Sequence, residues 1–247
     1  MKVSIITPCY NSAETIGLTI DSVKSQTYGN LEHIVVDGGS TDGTAQLLIA
    51  RKMELGILIS EKDKGIYDAI NKGFYVSSGD IIGILNSDDC FFNCNIIERI
   101  TDVFKNNPEV FCVYGNLIYV NRSGKVKRVW HSKNYSCGLF DKSWTPAHPT
   151  FYCRRSVYNE LVGYKIDYKI AADVDFMFRA LEIKSFRSIY VNEYFVKMLV
   201  GGASNNGINS TLTIIKEMKK SYQENMRKLN LVKYIFYKLI KLKEFRF

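Results

Sequence analysis

A chain of 247 residues, 46% apolar and 23% charged, has enough hydrophobic material for one large core and is neither disordered nor fibrous in composition. Its net charge of +8 is lopsided: Leu212 to Phe247 holds ten Lys or Arg against three Glu, a net of +7, which leaves +1 for residues 1–211. That near-neutral body, without an interleaved basic and aromatic motif, argues against a nucleic-acid binder, and the opening run KVSIITP is too short for a leader or a membrane span.

Residues 3–8 read as a strand, and 13–26 as a helix that Asn11 or Ser12 caps and whose Ile16, Ile20 and Val23 share one face. LEHIVVD is a second strand, GGSTDGT a turn, and Thr44 to about Lys52 a second helix. GILIS and IYDAINKGFYVS follow as strand and helix, then DIIGIL and a helix from Asn95 to about Asn107. This alternation predicts an α/β fold, a Rossmann-like and mostly parallel sheet flanked by helices. VFCVYGNLIYV and KVKRVW flank NRSGK as a hairpin. A polar, aromatic loop (131–147) leads to PTFYCRRSVYNELVGY and to AADVDFMFRALE, a helix start, and the chain closes in a helical tail. Six scattered cysteines without Cys-x-x-Cys spacing read as reduced thiols of a cytoplasmic protein.

In an open α/β sheet, ligands bind beyond the carboxyl ends of the strands. Those ends carry Thr7, Pro8, Tyr10 and Asn11; Asp37 and then GGSTD; EKDKG at 61–65; and Asn86, Ser87, Asp88 and Asp89. Any one polar strand end is simply a loop, but four polar ends, three of them acidic, converging on one edge favour a site. Pro-Cys-Tyr-Asn in the first turn excludes the G-x-G-x-x-G fingerprint, and no G-x-x-x-x-G-K-[ST] occurs. Acids repel a diphosphate unless a divalent cation lies between them, and hard oxygen donors suit Mg²⁺ or Mn²⁺. A metal would explain why Asp88 and Asp89 stand side by side at the end of a buried strand.

VSIITPCYNSAETIGLTIDSVKSQTYGNLEHIVVDGGSTDGT, EKDKGIYDAINKGF and GILNSDD resemble the nucleotide-sugar half of a family 2 glycosyltransferase with the GT-A fold. HPTFYCRRSVY, AADVDFMFRAL and VGGAS extend the likeness over roughly residues 1–205, closest to transferases of bacterial O-antigen, capsule and exopolysaccharide synthesis. The resemblance implies inverting, metal-dependent transfer of a hexosyl or N-acetylhexosaminyl group. The donor would be a nucleotide-diphosphate sugar, with a UDP-sugar expected, and the acceptor a saccharide or lipid-linked saccharide. It gives Thr7, Pro8, Tyr10 and Asp37 base-binding positions, and puts Lys64, Asp68 and Asn71 in the stretch lining the nucleotide. Asn86-Ser87-Asp88 falls on the D-x-D motif, with Asp88 as metal ligand, Asp89 beside it, and Asn86 departing from the usual first Asp. Asp173 falls on the catalytic base, behind Ala172, where many members have Glu. Asp175 reads as a first-turn acid favoured by the helix dipole. His148, Trp144 and Arg155 are candidates for acceptor or diphosphate contacts, with structural roles as the competing reading. Asn86 and Ala172 also suit a rival reading, an inactive nucleotide-sugar-binding or scaffold protein of the same fold.

The expected organisation is a GT-A domain over 1–211, with a nucleotide-sugar half at 1–110 and an acceptor half at 111–211. A basic, amphipathic helical tail occupies 212–247. Its aromatics and lysines suit an anionic membrane surface on the cytoplasmic face, against the alternative of a helix packed on the domain.

Overall fold

The structure, a computed structural model, describes residues 1–201 and 208–244. Gly202, Ala203 and Ser204 of the VGGAS stretch lie outside the described residues, as do Phe245 to Phe247 of the tail. Strands β1 (Val3–Cys9), β2 (Leu31–Asp37), β3 (Ile57–Ser60) and β4 (Ile81–Ile84) lie in the order β3-β2-β1-β4, all parallel. Helices α1 (Ile16–Lys24), α2 (Thr44–Ala50) and α3 (Ile66–Val76) connect them. Every residue of β1 is buried, as expected of a parallel strand covered on both faces. Ile16, Ile20 and Val23 turn inward from α1, as their spacing predicts.

Beyond β4 the sheet becomes mixed. Strand β8 (Tyr152–Arg154) runs antiparallel to β4 and to β6 (Cys112–Val120). Strand β9 (Ser188–Leu199) runs parallel to β6, β7 (Val126–Trp130) closes the expected hairpin with β6, and β5 (Cys90–Phe91) borders β9. Among the described residues six strands therefore run one way and β5, β7 and β8 the other. Helices α4 (Ile96–Asn106), α5 (Arg155–Leu161) and α6 (Ala172–Phe178) complete this half.

The two C-terminal helices are α7 (Ile208–Glu224) and α8 (Leu231–Glu244). The expected 211/212 boundary falls inside α7. Met218 and Tyr222 of α7 are buried, and Tyr222 stacks on Phe178 with ring centroids 4.3 Å apart. Glu217 accepts the backbone N–H groups of Lys169, Ile170 and Ala171 at 2.6, 3.1 and 2.8 Å, fixing the approach to α6. Asp175 is more than a helix-dipole acid. It is fully buried and accepts from Arg179 Nε at 2.7 Å, Ser221 Oγ at 2.6 Å and Lys165 Nζ at 3.3 Å. Arg179 in turn donates to the carbonyls of Leu161 and Gly163. This ion-pair network joins α6 to α7 because a buried charge must be fully partnered.

Candidate functional site

The carboxyl ends of β1, β2 and β4 share one edge, since Cys9 pairs with Asp37 and Ile6 with Ile84 in register. Asp37 is fully buried at the end of β2. Ser60 Oγ donates to its Oδ2 at 2.7 Å, Ser40 donates through its hydroxyl, and the Ser40 backbone N–H lies 3.2 Å from Oδ1. Burial, reinforced by Asp37, Asp42 and Asp63, pushes the neighbouring Cys9 thiol up to about 12, so it stays protonated. Tyr10 stands exposed at the mouth. Two loops are stitched together beside it. Thr41 N–H donates to Asn11 Oδ1, Ser12 N–H to Thr44 Oγ1, and Ala13 N–H to Asp42 Oδ2.

Thr7 lies one step deeper than its assignment suggests. It is buried and shares a 2.9 Å hydrogen bond with His33 Nε2. Burial holds the His33 imidazole down at about 3, hence neutral. Pro8 is buried in β1 beside Val36. Lys64 is exposed; its backbone N–H donates to Asp68 Oδ2 at 3.0 Å, and Asp68 faces Lys72 at 3.6 Å. Asn71 is committed elsewhere. Its amide donates to Tyr164 O at 2.8 Å and accepts from Tyr164 N at 2.9 Å, tying α3 to the loop after α5. That loop needs Gly163 at φ +69, where a Cβ would meet Asn71 Oδ1 at 2.5 Å.

After β4 the chain makes a tight turn, with Asp89 N–H donating to Asn86 O at 3.0 Å. The Ser87 and Ser12 hydroxyls lie 2.8 Å apart. Asn86 Nδ2 donates to Asp89 Oδ2 at 3.1 Å, and Thr19 Oγ1 donates to Asp89 O at 2.9 Å. Asp89 is fully buried, and among the described residues its Oδ1 has no hydrogen-bond partner. Burial and the adjacent Asp88 push its carboxyl well above the ordinary range, outweighing Asn86 and the Leu199 amide. Burial raises Asp88 too, opposed by its own backbone N–H and by His148. Two adjacent acids and an orphaned oxygen are a donor set that fits a hard divalent cation. Among the described residues no three His, Cys, Asp or Glu side chains converge to hold a metal alone, but one or two carboxylates plus substrate phosphate oxygens are a common Mg²⁺ set.

His148, on a single 3-10 turn (His148–Thr150), stands between the two halves. Its Nδ1 lies 3.4 Å from Asp173 Oδ2, and it acts electrostatically on Asp88. Tyr67, from α3, donates to Ile170 O at 2.5 Å and lies 3.4 Å from Asp173 Oδ1. Burial and Asp173 push its phenol up, so it stays protonated. Tyr67 and the Ser12–Ser87 hydroxyl pair were not foreseen. Tyr67 lies in the EKDKGIYDAINKGF stretch, but its use depends on the later α6.

Two candidates fall away from this edge. Trp144 is 6% exposed, packed among Tyr114, Tyr135 and Phe140, with little ring left to stack on a sugar. Arg155 lies at the start of α5, just after the antiparallel strand β8, by the opposite end of β4. There Nε donates to Gly79 O and Nη2 to Ser77 Oγ, both at 2.8 Å.

Residues 4–178 match the sequence profile of Glycosyl transferase family 2. An uncharacterized glycosyltransferase of Mycobacterium tuberculosis is 32% identical over 181 residues, 72% of this chain and 68% of that protein. Chondroitin synthase of Escherichia coli is 29% identical over 249 residues, 99% of this chain but 35% of its own length. Among solved structures, S. aureus TarS 1-349 in complex with UDP-GlcNAc superposes with a TM-score of 0.70 at 18% identity, over 91% of this chain and 66% of that one. The mannosyltransferase PcManGT from Pyrobaculum calidifontis, in complex with GDP-Man and Mn²⁺, gives 0.64 at 17% identity, over 91% and 64%. These structures share the fold, a central sheet flanked by helices as in GT-A proteins.

Proposed function

We propose that this chain, which belongs to glycosyl transferase family 2, moves a sugar from a UDP-sugar to a saccharide or lipid-linked saccharide hydroxyl with inversion at the anomeric carbon. The observation that carries this reading is that His148 engages two acids: its Nδ1 lies 3.4 Å from Asp173 Oδ2, and it acts electrostatically on Asp88. The names of the relatives support the substrate class: one is named a chondroitin synthase, and the TarS complex holds UDP-GlcNAc.

In this reading Asp37 accepts the uracil N–H and Tyr10 covers the base. Asn86 and Ser87 face the ribose and diphosphate. Asp88, backed by Asp89, would hold Mn²⁺ or Mg²⁺, which supplies charge stabilisation for the departing diphosphate. Asp173 takes the proton of the acceptor hydroxyl as that oxygen bonds to the anomeric carbon. The bond from that carbon to the UDP oxygen breaks with oxocarbenium character, and UDP leaves with the electron pair. Tyr67 and His148 fix the Asp173 carboxylate for this role. Residues 1–110 serve the donor and 111–211 serve the acceptor, though α7 of the tail also anchors α6.

The test is Asp173→Asn, which keeps shape but takes no proton. Transfer should fall by about two to four orders of magnitude, while UDP binding, followed calorimetrically, stays as in the wild type. Normal turnover would reject Asp173 as the base. A wild type that binds UDP yet transfers nothing to any acceptor would favour the scaffold reading, which Asn86 and Ala172 suit.

A further inference from the structure

Helix α8 is built inside out. Leu231 and Tyr234 face the body, and Lys238 folds over the Tyr234 ring at 5.8 Å. Lys142 lies 5.9 Å from the Tyr237 ring. The outward face carries Val232, Ile235, Phe236, Leu239 and Ile240, all exposed, Val232 by 82% and Phe236 by 59%. From Leu231 to Ile240 every exposed residue is apolar. At 100° per residue these five side chains form one continuous stripe, where a surface helix ordinarily places its charges. The sequence around the stripe is basic: Asn225 to Phe247 holds seven Lys or Arg and one acid, Glu244, a net of +6. Arg227 and Lys228 stand exposed just before the helix.

We propose that the outer face of α8 lies on an anionic lipid bilayer, with the stripe at the acyl boundary and Arg227 and Lys228 among the headgroups. Charge complementarity selects this occupant. A second copy docked face to face would bring +6 against +6, whereas each cation near an anionic surface adds to binding. The helix does not span. Its 14 residues reach about 21 Å, and no helix among the described residues is long and apolar enough to cross a membrane. Docking also sets the orientation of the site. Helix α8 packs on the turn Phe140–Lys142, which precedes the His148 turn by six residues, so the acceptor half faces the bilayer. This last consequence, access to a lipid-linked acceptor, rests on the transferase reading; the docking itself does not.

The experiment is co-sedimentation of the full chain with vesicles of phosphatidylcholine alone or mixed with phosphatidylglycerol. Three proteins are compared: wild type, Phe236→Glu with Leu239→Glu, and Arg227→Gln with Lys228→Gln. The wild type should pellet with the anionic vesicles only. The glutamate pair should abolish pelleting, and the glutamine pair should weaken it by about fivefold per cation. The midpoint shift given by UDP, measured on all three, should be the same, which shows that the variants fold and separates this claim from the donor site. A wild type that ignores anionic vesicles, or binds both kinds equally, overturns the proposal. So does a wild-type dimer in light scattering that the glutamate pair splits, because the stripe is then a contact between copies. If the glutamate pair does not fold, the exposed glutamine pair decides alone: unchanged pelleting overturns the proposal.

Discussion

The two edges of the parallel half treat their acids in opposite ways. At the amino edge Glu32 is surrounded by donors. Lys2 Nζ lies at 2.6 Å, Ser78 N–H at 2.6 Å, Ser78 Oγ at 2.8 Å and Gly79 N–H at 3.1 Å, with the Ser4 hydroxyl as well. Asp80 accepts from Lys2 N–H at 2.8 Å, and Arg155 ties down the same loop. At the carboxyl edge, among the described residues, Asp37 has hydroxyls, an amide and the Cys9 thiol, Asp88 has its own backbone N–H and the influence of His148, and Asp89 has an orphaned oxygen. Among the described residues none of Asp37, Asp88, Asp89 and Asp173 pairs with a Lys or Arg. Acids matched by the protein's own cations stabilise it; acids left unmatched cost free energy until something cationic arrives.

This contrast is sharpened most by removing a donor at the amino edge. Arg155→Ala leaves the Gly79 carbonyl without that donor and takes one bond from the Ser77 hydroxyl, which still donates to Phe74 O, at a cost of about 2 kcal/mol, or a midpoint about 5 °C lower. Calorimetry should show that loss with the UDP shift intact. A lost UDP shift in a folded variant would return Arg155 to the donor site. A smaller effect concerns pH. Burial works to raise the Glu32 carboxyl, but Lys2, Ser4 and Ser78 outweigh it and hold the group at about 2, against 4.5 unperturbed. Its contribution is therefore fully present above 4.5 and lost as pH falls through about 2. Glu32→Gln should flatten that acid limb in a pH series of melts. An unchanged limb would break the contrast at this end.

The βα repeat was legible because its periods are local: Ile16, Ile20 and Val23 announce α1, and the apolar run at 81–85 announces β4. Strand β9 was not, although its Ile189, Tyr190, Val191, Tyr194, Phe195 and Val196 are good strand formers. Asn192 and Glu193 interrupt the run, and its partner residues in β6 lie 76 to 79 positions away in sequence. The site was legible as strand ends, not as side-chain directions. Thr7 turns to His33, Asn71 to Tyr164, Trp144 into the aromatic core and Arg155 to the far edge, and each of those partners is fixed by tertiary packing. The basic tail divides for the same reason. Its charge was plain, but only the fold shows that α7 turns Met218 and Tyr222 inward while α8 turns Phe236 and Leu239 outward.

The claim that the carboxyl edge awaits a cation and a nucleoside diphosphate is tested most directly by thermal unfolding with UDP, in Mn²⁺ or in EDTA, for the wild type and Asp88→Asn. With ligand near a hundred times its dissociation constant, UDP and Mn²⁺ together should raise the wild-type midpoint by about 5 °C. EDTA should remove most of that shift, and Asp88→Asn should show the small EDTA-like shift in either condition while melting normally without ligand. Equal UDP shifts with and without Mn²⁺, or an Asp88→Asn variant that keeps the metal-dependent gain, would contradict the account.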